Sequence, residues 1–212
     1  MKLIIESYRS TEKKPDGSEI RIAANHINEA RCLIIDEPGA AIGISWGAGT
    51  VTVNASVMGM PIFEFSILGA GDWIDEETAK RFGFDPEKPG KESIETPTTI
   101  CRRKESLDLS KMPEDNVGKD ITLMYEILIE NVVKNIAKGL KENKEKFRFD
   151  QPIPVINAGG TCIPNGFMEF FKKKVSQLQD QLVVPIGEIR RADDPLFAVA
   201  KGCLKAAIMH RE

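Results

Sequence analysis

Three short stretches of this sequence combine glycine with hydroxyl or acidic residues in a way suited to holding an anion. They are Ser45-Trp46-Gly47-Ala48-Gly49-Thr50, Gly69-Ala70-Gly71-Asp72 and Asn157-Ala158-Gly159-Gly160-Thr161. A turn with few Cβ atoms exposes backbone N–H groups and lets a phosphate come close. The second and third stretches also run into helical patterns, where the first amides and the helix dipole favour negative charge. One such stretch alone reads as an ordinary tight turn. Three in one chain, each after an extended segment, point to a nucleotide or another phosphate-bearing ligand. At the second turn the charges oppose the dipole, because Asp72, Asp75, Glu76 and Glu77 crowd the helix start. These carboxylates repel a bare phosphate unless a hard cation such as Mg2+ bridges the two kinds of oxygen.

The elements that position these turns follow from periodicity. Ile42–Ser45 is apolar and Thr50–Val57 alternates in period two, giving strand, glycine turn and strand. Gly59-Met60-Pro61 makes a second turn, and Ile62–Ile67 alternates as a third extended segment. Trp73–Phe82 reads as a helix with Asp72 as its N-cap and Gly83 as its stop. Residues 84–97 read as a surface excursion and Pro97–Asp108 as a short helix. The longest helical pattern spans Asn116–Leu140, with Met124, Ile127, Leu128, Val132, Ile136 and Leu140 as its apolar stripe. Lys141–Lys146 follows as a solvated helix end. The last third alternates: strand Pro152–Asn157, helix Asn165–Gln181, strand Leu182–Ile186, and a helix from Asp194-Pro195 to about Met209. That order implies parallel strands covered by helices. Before Ala41 the signal is weaker: Lys13–Ser18 carries a turn signature, and Leu3–Tyr8 and Glu19–Ala24 fit strands or helix equally.

Composition narrows the function. With 29 Lys+Arg against 32 Asp+Glu the net charge is −3, which argues against a nucleic-acid surface. A length of 212 residues with 42% hydrophobic content suits one domain with a sizeable core. No long unbroken apolar run is present, so no membrane span is expected, and the apolar start ends at Glu6, too soon for a signal peptide. Cys32, Cys101, Cys162 and Cys203 are widely spaced and read as reduced thiols in a cytoplasmic protein. His26 and His210 have no metal-spaced partner, which argues against a zinc site. Trp46 reads as core rather than a base-stacking residue, Glu64 as solvent-facing on an edge strand, and Cys162 as a packed thiol rather than a reactive one.

Taken in order, Ser45–Thr50, Gly69–Asp75, Asn157–Pro164 and Asp194–Gly202 resemble the actin-like ATPase superfamily, which holds actin, its bacterial homologues, heat-shock chaperone ATPases and sugar kinases. The first stretch looks like the family's second phosphate loop, D-x-G-x-G-T, and the next is similar to its G-G-x-x-[ILF]-D segment. Ala158–Pro164 looks like the adenosine motif, and Ala198–Gly202 like a family helix start. The helix with Arg102, Arg103, Lys104 and Glu105 sits where the family keeps charged residues near adenine and ribose, with Cys101 in place of the usual acid. The resemblance covers about residues 40–209. It implies an α/β, ribonuclease-H-like actin-type lobe, a mixed sheet covered by helices, over residues 41–212 behind an N-terminal segment 1–40. It also implies ATP at Ser45, Gly47, Ala48, Gly49, Thr50, Gly69, Ala70, Gly71, Asp72, Lys104, Gly159, Gly160 and Thr161, with Mg2+ held through phosphate and water.

Two departures stand out. Ser45 occupies the phosphate-loop aspartate position, and a hydroxyl cannot supply that charge to a metal. Nothing in residues 1–40 resembles the first lobe's D-x-G-[ST] loop, although Asp36-Glu37-Pro38-Gly39-Ala40-Ala41 looks like the stretch that joins the lobes. The resemblance therefore implies a second lobe only, binding ATP but incomplete for hydrolysis without a first-lobe partner chain. The alternative is a non-catalytic scaffold or a filament-forming homo-oligomer. A sugar-kinase reading lacks an aspartate base.

Overall fold

Alternation of side chains along three consecutive strands decides which face of the sheet carries the core. The structure is a computed structural model that describes residues 8–13, 19–24, 27–85, 87, 95–147 and 151–209, the first two segments as backbone. Strands β1 (Tyr8–Lys13) and β2 (Glu19–Ala24) pair antiparallel, so Glu19–Ala24 is strand; residues 3–7 and 14–18, His26 and His210 lie outside the described residues. Helix α1 (Glu29–Cys32) is capped by Asn28, whose side chain accepts from the amides of Ala30 and Arg31. Then come β3 (Ala40–Trp46), β4 (Thr50–Val57), β5 (Met60–Leu68), α2 (Gly71–Arg81), α3 (Pro97–Ser106) and α4 (Asn116–Glu142). The chain closes with β6 (Ile153–Ala158), α5 (Phe167–Gln177), β7 (Ile186–Arg191) and α6 (Ala198–Met209).

The main sheet has the order β5-β4-β3-β6-β7. β3, β4 and β5 form an antiparallel meander, while β3, β6 and β7 run parallel. It is a mixed α/β sheet. Ile42, Ile44 and Trp46 of β3 and Val51, Val53, Ala55 and Val57 of β4 point to one face and join the main core with α2 to α5. Trp46 is fully buried there, edge-on to Phe167 at 5.1 Å and to Phe171 at 5.9 Å, and its Nε1 donates to Asn157 Oδ1 at 2.8 Å. The opposite face carries Ala41, Ile156 and Ile34 as a small second cluster beneath α1 and α6.

Several boundaries differ from those read off the sequence. The second turn is Met58-Gly59, both at positive φ, and Met60 and Pro61 already belong to β5. A two-residue turn of this hand matches strand twist, and Pro61 sits on an edge strand where its missing donor costs nothing. Along α4, Ile127 is exposed, while Tyr125, Ile129 and Val133 are buried, because the helix buries two adjacent rows rather than one narrow stripe. The apolar run Leu182–Val184 fills the core as a loop, with Leu182 and Val184 buried. The strand is the more polar Ile186–Arg191, an edge partner to β6 that needs little apolar surface. The last helix begins at Ala198 rather than Pro195. Pro195 is held back by its carbonyl, which accepts from Gly159 N at 2.9 Å.

Candidate functional site

The β-meander and the parallel β6 bring the ends of three extended segments to one edge of the sheet, and the three glycine turns lock together there. Gly69 N donates to Gly49 O at 3.0 Å, Gly71 N to Gly47 O at 3.3 Å and Asp72 N to Ala48 O at 2.9 Å. Thr161 Oγ1 donates to the same Gly47 carbonyl at 2.8 Å. These bonds revise the expected role of Asp72. The N-cap of α2 is Ala70, with no side-chain cap, because carbonyls of the first turn satisfy the helix's leading amides. Close approach also explains the glycines. A Cβ on Gly71 would lie 2.6 Å from Thr161 Oγ1, and one on Gly159 (φ 101°) would lie 2.2 Å from Trp46 O.

Over this junction opens a cavity of about 440 Å3, within the range of small-molecule sites. Of the residues expected to hold a ligand, Ala48, Gly71, Asp72, Lys104, Gly160 and Thr161 line it. Gly47, Gly49, Thr50, Gly69, Ala70 and Gly159 belong to the turns but are not part of that lining. Ser45 is turned elsewhere: it is buried, and its Oγ donates to Glu29 Oε2 at 3.2 Å on the α1 side of the sheet. Among the described residues the amides of Ala48 and Gly49 donate to no backbone carbonyl. The leading amides of the 3-10 turn Gly160–Cys162 likewise have no partner within that turn. Donors thus remain on two sides of the cavity.

The charged part of the lining is Lys104 with three carboxylates, Asp72, Asp75 and Glu105. Lys104 Nζ donates to Gly71 O and to Asp75 Oδ2, both at 2.7 Å, and both side chains are buried. One of its three N–H groups remains for a ligand. Burial pushes the Asp75 carboxyl above its ordinary value, with Lys104 opposing the shift, and its Oδ1 is buried without a hydrogen-bond partner. Desolvation and the nearby Asp75 also raise the Cys101 thiol. Burial holds the Cys162 thiol up at about 12, so it packs rather than reacts. Tyr125 Oη donates to Thr161 O at 3.2 Å, fixing the third turn to α4. Ile163, Pro164 and Leu196 form an apolar mouth.

Asp75, Tyr125 and Leu196 were not among the expected site residues. Asp75 closes the Gly69–Asp75 segment and had a motif signal. Leu196 lies in the Asp194–Gly202 stretch of the resemblance, but only the tertiary fold, through Gly159 N on Pro195 O, brings its loop to the third turn. Among the described residues no group of three or more His, Cys, Asp or Glu side chains is arranged to hold a metal directly.

Comparison with known proteins places this geometry. A family model described as volactin matches residues 34–207, a span that contains all three turns. The chain belongs to the volactin family. No curated protein sequence matches it. Its fold is similar to ethanolamine utilization protein EutJ from Carboxydothermus hydrogenoformans, at 17% identity and TM-score 0.53 over 83% of this chain and 53% of that one. It is also similar to the MamK double helical filament, at 17% identity and TM-score 0.62 over 85% of this chain and 58% of that one. A non-polymerising MamK mutant bound to AMPPNP gives 18% identity and TM-score 0.59, with the same coverage. The volactin-family chain therefore has an actin-like fold and spans little more than half the length of these structures. No described helix is long and apolar enough to cross a membrane.

Proposed function

We propose that this volactin-family chain is a nucleotide-binding lobe that takes ATP in the cavity over the three glycine turns. The observation that carries the reading is the convergence of those turns, with uncommitted amides on both sides and an apolar mouth able to sandwich a purine. In this reading the phosphates lie against Ala48–Gly49 and Gly160–Thr161, and the base lies between Ile163 and Leu196. The lining holds one cation and three carboxylates, so Mg2+ accompanies the phosphates, bound through phosphate and water. Hydrolysis requires a first-lobe partner, because in-line attack needs groups on both sides of the phosphate.

Titration calorimetry with ATP–Mg2+ tests it directly: weak binding and negligible turnover are expected. Leu196→Glu, at a side chain 63% exposed, should weaken binding at least about tenfold without unfolding the protein. No heat at millimolar nucleotide sinks the proposal.

A second reading keeps the fold and drops the chemistry: a scaffold or filament-forming homo-oligomer. Ser45, bonded to Glu29 where relatives of this superfamily place an acid, favours it. Light scattering with and without ATP separates the two, since a scaffold is indifferent to nucleotide.

A further inference from the structure

On the face of the sheet away from the cavity, two cysteines 171 positions apart in sequence meet. Cys32, at the end of α1, lies with its Sγ 3.3 Å from Sγ of Cys203 in α6. Both are free thiols, Cys32 buried and Cys203 partly exposed. The contact is built by close backbone approach: a Cβ on Gly202 would lie 2.1 Å from Cys32 O. Little else holds α6 down. Its buried residues are Gly202 and Ala206, and its ion pairs, Lys205 with Asp36 and Lys201 with Asp194, are between exposed groups. A small reagent reaches Cys203 through its partly exposed side, and a cleft of about 230 Å3 opens onto Cys32 between α6 and the loop after α1.

We propose that Cys32 and Cys203 form a thiol–disulfide modification site, oxidised by a small organic disulfide, that clamps α6 covalently to α1. The thiolate of the more exposed Cys203 attacks one sulfur of the reagent; the reagent's S–S bond breaks and one small thiol leaves with a proton. The Cys32 thiolate then attacks Cys203 Sγ in the mixed disulfide, the Cys32–Cys203 bond forms, and the second small thiol leaves with the other proton. Two protein thiols are oxidised and one reagent disulfide is reduced. Closing so long a loop restrains the unfolded chain, and the oxidised form is the more stable.

The test uses the full chain with oxidised glutathione as the probe. Peptide mapping should show Cys32 linked to Cys203, with a mass loss of two hydrogens and no retained glutathione. The melting temperature should rise by roughly 10 °C, and amide exchange across Ala198–Met209 should slow about tenfold. Dithiothreitol should reverse all three. Cys203→Ser, checked for native circular dichroism, should show neither link nor rise. Persistent glutathione adducts, linkage through Cys101 or Cys162, or a link without added stability would overturn the proposal. The wild-type peptide map decides the linkage even where the variant folds poorly.

Discussion

The two faces of the main sheet are built on different principles. One face packs large side chains: Trp46, Tyr125, Phe167 and Phe171 interlock with α4 and α5, and the cavity opens at its edge. Among the described residues the other buries a small cluster of Ile34, Ala41 and Ile156 and closes by backbone contact, with Gly43 against Ala30 O and Gly202 against Cys32 O. Burial of apolar area stabilises the first, at roughly 25 cal/mol per Å2. The second depends on the absence of Cβ atoms and contributes far less area. The aromatic face is therefore expected to contribute most of the stability, and the α1–α6 face to open first in amide exchange.

Substitutions on each face can break that contrast. Phe167→Ala, at a fully buried ring, should have the largest effect, a loss of about 3–5 kcal/mol in urea unfolding. Gly202→Ala should cost less, about 1–3 kcal/mol, and its signature should be local: faster amide exchange in α6 with the aromatic core still protected. A global loss equal to that of Phe167→Ala would erase the distinction between faces. Lys205→Ala removes an exposed ion pair with Asp36 and should change stability by less than about 1 kcal/mol.

The smallest effect is a pH dependence. Bonds from Ser110 and Lys111 lower the exposed Asp108 carboxyl from 3.8 to about 2. A carboxyl depressed in the folded state contributes stability above 3.8 and loses it as pH falls through about 2. Asp108→Asn should flatten the acid limb of a stability–pH curve over that window. An unchanged limb would remove Asp108 from the acid response.

The glycine turns of the candidate site are legible in the sequence. Glycine turns announce themselves because only glycine tolerates the approach that Gly71 and Gly159 make. The alternation of Thr50–Val57 marks a strand, and β4 runs over those residues, since period two is a property of the strand itself. Less legible were features that depend on who the neighbour is. Asp72 is a good N-cap residue, yet carbonyls of Gly47 and Ala48 took that role. Leu182–Val184 had the composition of a strand, yet the edge position went to a more polar segment.

What the sequence determined by itself is local: where strands and helices run, where glycine permits a tight approach, and that Ser45 stands where the actin-like resemblance implies an acid. The tertiary structure alone decided three pairings. It put Lys104 on Asp75, Leu196 and Ile163 in the lining of one cavity, and Cys32 beside Cys203. Each joins residues distant along the chain. Periodicity and propensity act over a few residues, whereas these contacts depend on strand order and on how closely backbones can pack.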